Sequence, residues 1–346
     1  MTFTKPRRLS VGDTIAVVSP SWGGPSRYPN VFDMGIQNIE SLFGLKVKEY
    51  PTARMDAQFT YEHPEVRAKD LNDAFADDEV SAIFASIGGD DSVRLLPLLD
   101  LDLILAHPKV LMGYSDTAVL NSYLCSRGLV TFNGPSVMAG FAQMQHLPAE
   151  LVENVKQVLF QPSHRLEYAP YSHWANDYVD WGTPGYDGVR NLSPNTEGWH
   201  WLQGEGVVTG ALYGGCIEVF EFTKGTRFWP SPEFFDGKIL FFETSEDKPS
   251  VANLKYMLRN YGSMGVLDQV SALMFGRARS FTDTEKVELE ETIVRVVAKE
   301  FGRPDMPIVA NMDFGHTDPQ FIMPLGIQAE IDCQKRTFAL VETAVV

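Results

Sequence analysis

The chain has 346 residues, of which 44% are apolar, and a formal net charge of −16 at pH 7. This length exceeds what one hydrophobic core usually serves, so we expect two domains. The negative charge argues against a nucleic-acid partner, because non-specific binding needs lysines and arginines that displace counterions.

The three cysteines, Cys125, Cys216 and Cys333, are too few and too scattered to predict a disulfide framework or a zinc site. No window approaches the roughly 18 apolar residues of a membrane span. The first residues, "MTFTKPRRLSVGDT", contain no long apolar stretch of the kind found in signal peptides. We therefore expect a soluble, reduced, cytoplasmic protein with no zinc site and no membrane partner.

Residues 1–160 alternate short apolar runs with helical patterns, as strands of a mostly parallel α/β sheet do. Strands are predicted at "TIAVVSP", "KVKEY", "AIFASIGG", "KVLMGYS" and "LVTFNGP". Helices are predicted at "NVFDMGIQNIESLFG", "PEVRAKDLNDAFAD" and "DTAVLNSYLCSRG". In open α/β sheets the ligand crevice lies at the carboxyl ends of the strands, so chemistry is expected there.

Residues 161–205 lose this periodicity and are rich in Pro, Gly, Asn and aromatic side chains. A long aperiodic stretch is typical of either a linker or a functional lid. Regular patterns resume in 206–346, with strands at "GVVTGALYGG", "KILFFETSED" and "VSALMFGRA" and helices at "PSVANLKYMLRNYG" and "DTEKVELEETIVRVVAKEFG". Closing strands run from "PIVANMDFGH" to "TFALVETAVV", so this part is predicted to be a mixed α/β domain with its own sheet.

The run "MGYSDTAVL" places Ser115 and Asp116 where a strand ends and a helix begins. One interpretation is that either side chain caps the helix by accepting a backbone N–H. The other is that a serine on a tight strand-to-helix turn presents its hydroxyl as a nucleophile, with helix-start amides beside it.

The run "SIGGDDS" places Gly88 and Gly89 at another strand end. The glycine pair fits a structural turn, or a backbone nest for an anion such as the phosphate of a GGD-type kinase substrate. No Walker-type lysine follows it, which argues against the phosphate interpretation.

Two further candidates come from the C-terminal part. Glu243 ends the apolar run of "ILFFETSED", where an isolated buried charge would be costly, so it either serves a site or pairs with a turn or an arginine. His316 lies in the turn "DFGHTDPQ" between predicted strands. The chain order Ser115, Glu243, His316 is an order of nucleophile, acid and base known from hydrolases.

Six short motifs occur together: "LSVGDTIAVVSPS", "SIGGDDS", "GYSDTAVL", "TFNGPSV", "FFETSED" and "FGHTDPQFIMPLG". In content and order they resemble the LD-carboxypeptidase family of serine peptidases over nearly the whole chain. The long tryptophan-bearing insert is similar to that of the MccF-like branch, the microcin C immunity peptidases. The resemblance implies an N-terminal domain with the nucleophile, a C-terminal domain with the acid and base, and an active site in the cleft between them.

Carried over by motif, the resemblance implies Ser115 as nucleophile, His316 as general base and then acid, and Glu243 as the group that orients the imidazole. It also implies a homodimer, since members of the family are often dimers. The implied substrates are small peptides and peptidyl or aminoacyl nucleotides, such as aminoacyl sulfamoyl adenylates, and the implied reaction uses no metal and no cofactor.

The oxyanion donors implied by the same motifs are the backbone N–H groups of Asp116 and of Gly89 or Asp90. One departure stands in "GALYGGCIEVF", where Cys216 occupies a position at which the family pattern leads us to expect an asparagine-like residue. This departure affects the expected substrate contacts and leaves the triad unchanged.

The insert contains Trp174 and Trp181 among Asn, Asp, Gly and Pro, where a large ring has little core to reach. The resemblance implies that such loop tryptophans stack on a nucleobase, with Asp247 and Lys248 near the ribose or the linking group. The alternative is that the insert's rings only anchor the loop, which we expect for Trp199 and Trp201 because the next strand lies close to them.

Three other functions remain open from the sequence, one with the same triad and two without it. A murein tetrapeptide LD-carboxypeptidase would use the same triad on a substrate that has no nucleobase. A nucleotide-binding or sequestering protein, or a GGD-type kinase, would need no triad at all.

Overall fold

The computed structural model describes residues 2–346 and is built around two main β-sheets. The strands are β1 (Thr14–Val18), β2 (Lys46–Glu49), β3 (Val80–Ala85), β4 (Val110–Gly113), β5 (Thr131–Asn133), β6 (Leu166–Tyr168), β7 (His173–Trp174), β8 (Ser193–Pro194), β9 (His200–Gln203), β10 (Val207–Cys216), β11 (Ile239–Glu243), β12 (Ala272–Gly276), β13 (Ile308–Met312), β14 (Met323–Leu325), β15 (Gln328–Asp332) and β16 (Thr337–Leu340).

The α-helices are α1 (Gly24–Arg27), α2 (Pro29–Phe43), α3 (Ala57–Glu62), α4 (Pro64–Ala76), α5 (Leu101–Ala106), α6 (Thr117–Ser126), α7 (Ala149–Leu159), α8 (Ile217–Phe220), α9 (Val251–Ser263), α10 (Val266–Gln269) and α11 (Asp283–Val294). Short 3₁₀ segments cover Pro51–Ala53, Ser92–Leu98, Phe141–His146 and Pro232–Phe235, and a π-helical segment, Arg295–Glu300, continues α11. None of the helices within residues 2–346 combines the length and the apolar character needed to cross a bilayer.

The first sheet has the strand order β14-β5-β4-β3-β1-β2. Its strands run parallel except for β14, which pairs antiparallel with β5. The central strands are buried along nearly their whole length, as expected where helices cover both faces of a parallel sheet. The predicted mostly parallel α/β sheet of the N-terminal part is confirmed.

The second sheet has the order β6-β16-β15-β10-β11-β12-β13-β9. Strands β10 to β13 are parallel, and the strands on both sides of them are antiparallel. The predicted separate, mixed sheet of the C-terminal part is therefore also confirmed.

The segment between β13 and β14 is one of the places where the chain crosses from one sheet to the other. The chain leaves the second sheet at the end of β13 and enters the first sheet as β14, where Met323 pairs with Asn133. His316 lies on this crossing segment, so the strand exchange carries it from one sheet towards the other. Segment 161–205 differs from an unstructured linker, because its strands β6 and β9 form the two edges of the second sheet.

Candidate active site

The predicted turn at Ser115 is present between β4 and α6. Ser115 has φ 57°, a left-handed conformation that costs free energy for a residue with a side chain. Helix α6 begins at Thr117, and its N-terminal cap position, Asp116, makes no side-chain cap hydrogen bond. The helix-capping interpretation of Asp116 is therefore wrong, and the strained turn matches the geometry of a nucleophile elbow.

The Asp116 side chain serves a neighbouring loop instead. Its Oδ2 accepts hydrogen bonds from the backbone N–H groups of Asp91 (3.1 Å) and Ser92 (2.8 Å), at the start of the 3₁₀ segment. Burial raises the pKa of this carboxyl. Asp116 therefore fastens the glycine loop of "SIGGDDS" to the Ser115 turn.

Gly88 lies directly against the candidate nucleophile. A Cβ added at Gly88 would lie 2.8 Å from the Cβ and 2.9 Å from the Oγ of Ser115, so no larger residue fits without a shift. The backbone N–H groups of Gly89, Asp90 and Asp116 donate none of the hydrogen bonds found within residues 2–346. The structure thus brings two backbone segments with free donors to the same turn.

Glu243 ends β11, where it pairs in register with Cys216 of β10. Its side chain is fully buried, and its Oε2 lies 2.6 Å from Nδ1 of His316. A Cβ at Gly315, which has φ 98°, would approach the Glu243 side chain to 2.5 Å. Glycine at this position therefore leaves room for the carboxylate, which pairs with the histidine and, within residues 2–346, with no arginine.

His316 is only 4% exposed and lies between β13 and β14. Its ring packs edge-on against Tyr114 at 4.9 Å between centroids, and the Tyr114 hydroxyl lies 3.1 Å from that of Tyr178. Since an ionised carboxylate can only accept, the Nδ1 nitrogen donates in this pair, and Nε2 lies on the other side of the ring, away from Glu243.

Sequence reasoning missed a second acid at this histidine. Glu246 Oε2 lies 3.1 Å from Nε2 of His316. Burial lowers the pKa of His316, but Glu243 and then Glu246 outweigh it and raise this pKa to about 10. The contact with His316 in turn lowers the pKa of Glu246 to about 2. The only available signal was the position of Glu246 in the turn that follows β11.

An open cavity of about 370 Å³ is lined by Ser115, His316 and Glu246. Aromatic side chains form much of its wall: Trp22, Tyr28, Tyr114, Tyr178 and Trp181. Trp22 and Tyr28 follow the carboxyl end of β1, so the strand-end rule could have found them.

The remaining predicted substrate contacts lie outside this cavity. Trp174 lies over the guanidinium of Arg277, whose central carbon is 4.5 Å from the ring centroid. Lys248 forms an ion pair with Glu285 at 2.9 Å, and Asp247 is exposed to solvent. Of the four side chains predicted to contact substrate, the structure brings only Trp181 to the cavity.

The cavity also contains one arginine, Arg279. Its guanidinium carbon lies 4.1 Å from the centroid of the Tyr178 ring, and its Nε is buried without a hydrogen-bond partner in the described chain. Arg190, on the same ring, pairs with Asp318 at 2.8 Å. No ion pair to Arg279 occurs within residues 2–346, so its charge is available to an anionic group in the cavity.

Two family models match this chain. The LD-carboxypeptidase N-terminal domain matches residues 15–134, and the LD-carboxypeptidase C-terminal domain matches residues 209–331. The first match contains the Ser115 turn and the second contains Glu243 and His316.

Relatives match over nearly their full length. The microcin C7 self-immunity protein MccF of Escherichia coli is 27% identical over 336 residues, which cover 96% of this chain and 94% of MccF. A Bacillus subtilis (strain 168) protein named "Probable murein peptide carboxypeptidase" is 27% identical over 345 residues, with 99% of this chain and 95% of that protein covered.

Solved structures of the same group share the fold. An MccF-like protein from Streptococcus pneumoniae in complex with AMP has a TM-score of 0.84 at 29% identity, covering 95% of this chain and 98% of that one. MccF in complex with aspartyl sulfamoyl adenosine has a TM-score of 0.87 at 26% identity, covering 99% of this chain and 100% of that one. The chain therefore belongs to the LD-carboxypeptidase family of serine peptidases, in its MccF-like branch.

Proposed function

We propose that this protein is a serine carboxypeptidase that cleaves the amide bond of peptidyl or aminoacyl nucleotides through Ser115, His316 and Glu243. The observation that carries the proposal is that Ser115 and His316 line one aromatic cavity, with Glu243 bonded behind the histidine. The complexes of MccF with aspartyl sulfamoyl adenosine and of the Streptococcus pneumoniae protein with AMP support a nucleotide-linked substrate.

In the proposed reaction, the Ser115 hydroxyl attacks the amide carbonyl while its proton moves to Nε2 of His316. The negative charge on the carbonyl oxygen is stabilised by backbone N–H groups of Asp116 and of Gly89 or Asp90. The imidazolium then gives its proton to the leaving nitrogen, and the C–N bond breaks to leave an acyl ester on Ser115.

Water completes the cycle. It attacks the ester as His316 accepts its proton, the acid leaves, and the proton returns to the Ser115 oxygen. Glu243 orients the ring through Nδ1 and stabilises the imidazolium in both half-reactions. None of these steps requires a metal ion, so we expect the rate of hydrolysis to be unchanged when a metal chelator is added.

The cavity wall supports a substrate with a base and an anionic link. Trp181 and Tyr28 pack edge-to-face at 5.6 Å between centroids, and Trp22 lies beside Tyr28, so flat rings border the opening. Base stacking on such rings contributes roughly 1–3 kcal/mol by alanine substitution in single-strand binders. Arg279 offers a planar cation that suits a sulfamoyl, phosphoryl or carboxylate oxygen.

A murein tetrapeptide carboxypeptidase is the second candidate, supported by the similarity to the Bacillus subtilis protein. The test is to incubate the purified protein with aminoacyl sulfamoyl adenosines and with murein tetrapeptide, and to detect products by mass spectrometry. Cleavage of the adenosines alone supports the proposal, and cleavage of the tetrapeptide alone favours the second candidate.

Covalent labelling separates these hydrolases from a binding protein or a GGD-type kinase. A fluorophosphonate probe should modify Ser115 in the wild type and leave Ser115→Ala unmodified. Phosphate transfer from ATP without labelling would favour the kinase.

We also propose that the protein is a homodimer, because it resembles a family whose members are often dimers. Light scattering coupled to size-exclusion chromatography tests this proposal.

A further inference from the structure

Both ring nitrogens of His316 face a carboxylate. Nδ1 lies 2.6 Å from Glu243 and Nε2 lies 3.1 Å from Glu246. In the proposed mechanism Nε2 must take the proton of the Ser115 hydroxyl, so it has to be unprotonated at that moment. A carboxylate beside Nε2 favours the opposite state, because it stabilises a proton there.

The two carboxylates differ in how firmly they are held. The Glu243 side chain is fully buried at the end of β11, with Gly315 packed against it. The Glu246 side chain is 56% exposed at the cavity, on the turn between β11 and α9. Moving Glu246 away from Nε2 therefore breaks one half-exposed ion pair and disturbs no core packing.

We propose that Glu246 is a positioning residue that holds His316 as an imidazolium in the free enzyme and must leave Nε2 before Ser115 can react. The inference rests on the proposed function, in which Ser115 and His316 act as nucleophile and base. Substrate entry into the same cavity supplies the displacement, because Ser115, His316 and Glu246 share its lining.

Other charged or titratable groups surround the ring without contacting Nε2. They are Tyr114 on the turn after β4, Tyr178 on the insert, Arg279 after β12, Asp318 on the crossing segment, and Glu218 and Cys216 behind Glu243. Burial raises the pKa of the Tyr114 and Tyr178 hydroxyls, which keeps both neutral. Asp318 is paired with Arg190. Glu243 bonds to the other ring nitrogen and stays buried, so Glu246 is the group whose removal tests the proton on Nε2 itself.

The first test measures the rate of fluorophosphonate labelling of Ser115 against pH in the wild type and in Glu246→Gln. The reaction needs a neutral His316, so the labelling rate should rise with pH as His316 loses its proton. This rising part of the pH profile is its acid limb. Without the Glu246 charge we expect that limb to move down by about one pH unit or more, which makes labelling near neutral pH about tenfold faster.

The matched control is Glu79→Gln, which removes an exposed carboxylate just before β3, at the end of the first sheet away from the Ser115 turn. Its labelling profile should superimpose on that of the wild type. Equal acid limbs in the wild type and Glu246→Gln, with Ser115 labelled in both, would overturn the inference while the proposed function stands.

A second test needs no reaction. The ¹⁵N chemical shifts of the His316 ring, followed against pH in the free protein, report protonation of Nε2 directly. We expect an imidazolium through neutral pH in the wild type and titration at lower pH in Glu246→Gln. If Ser115 is never labelled, the proposed function fails, and this titration still decides whether Glu246 holds the proton. Identical titrations in the two proteins would refute that role.

Discussion

Glu243 Oε2 lies 2.6 Å from Nδ1 of His316, although 73 residues separate the two along the chain. The acid comes from the end of a central strand of the second sheet, and the histidine comes from the segment that crosses to the first sheet. This contact orients the ring and holds a proton on Nδ1, and Nε2 is the nitrogen that contacts Glu246 at the cavity.

Replacing Glu243 tests the acid of the proposed triad. Glu243→Gln keeps the shape of the side chain and removes the charge that stabilises the imidazolium. We expect kcat to fall roughly a thousandfold or more, by analogy with other triad acids. Steady-state kinetics and the melting temperature should be measured together. An active variant with a greatly lowered melting temperature would assign Glu243 a structural role instead.

Replacing Ser115 tests the nucleophile and the strain of its turn. The rate of hydrolysis by Ser115→Ala should be several orders of magnitude below that of the wild type, and the variant should keep its fold. Ser115→Gly should be equally inactive but more stable than Ser115→Ala, by roughly 1 kcal/mol, because glycine tolerates the φ of 57°. Urea unfolding of the two variants gives this difference. Full activity in Ser115→Ala would end the proposal, and equal stabilities would contradict the strain argument.

The loop tryptophans are distinguished by their positions. Trp181→Ala should raise KM for an aminoacyl sulfamoyl adenosine about tenfold to a hundredfold, which corresponds to roughly 1.4–2.8 kcal/mol of lost binding. Cleavage of a substrate without a base should barely change. Trp174 lies over Arg277 and outside the cavity, so Trp174→Ala should lower the melting temperature and change KM less. An equal rise in KM for both substrates in Trp181→Ala would show that Trp181 has only a structural role in the loop.

The raised pKa of His316 also predicts a pH dependence of stability. Because the folded state raises this pKa from 6.5 to about 10, it binds the proton more tightly than the unfolded chain does. The stabilisation is complete below about pH 6.5 and is lost as pH rises towards about 10. Urea unfolding of the wild type and of His316→Gln should therefore show a difference that shrinks across this range. A constant difference would contradict the raised pKa.

Much of the site could be predicted because its signals are local. The turn at Ser115, the glycine pair at Gly88 and the strand-end position of Glu243 all follow from apolar runs that stop at a polar or small residue. His316 was singled out by its place in a turn between strands. Each of these local features depends on a few neighbouring residues. The structure contains the turns and strand ends at the positions that the sequence pattern predicts.

Other features depended on contacts between distant segments. The pattern could not tell which loop tryptophan faces the cavity, because pairing of β7 with β8 and a bridge between Ala175 and Asp318 orient that loop. It also did not single out Glu246 or Arg279, since a charged residue in an exposed turn looks the same whether it faces solvent or an active site.

The sequence by itself determined the mostly parallel first sheet, the separate second sheet and the positions of the residues at the strand ends, because hydrophobic periodicity and turn chemistry act over short distances. Only the tertiary structure decided that β14 crosses between the sheets and that His316 therefore lies in the same cavity as Ser115. It also decided that Glu246 contacts Nε2. Such contacts are set by the packing of whole elements, and no spacing along the chain records that packing.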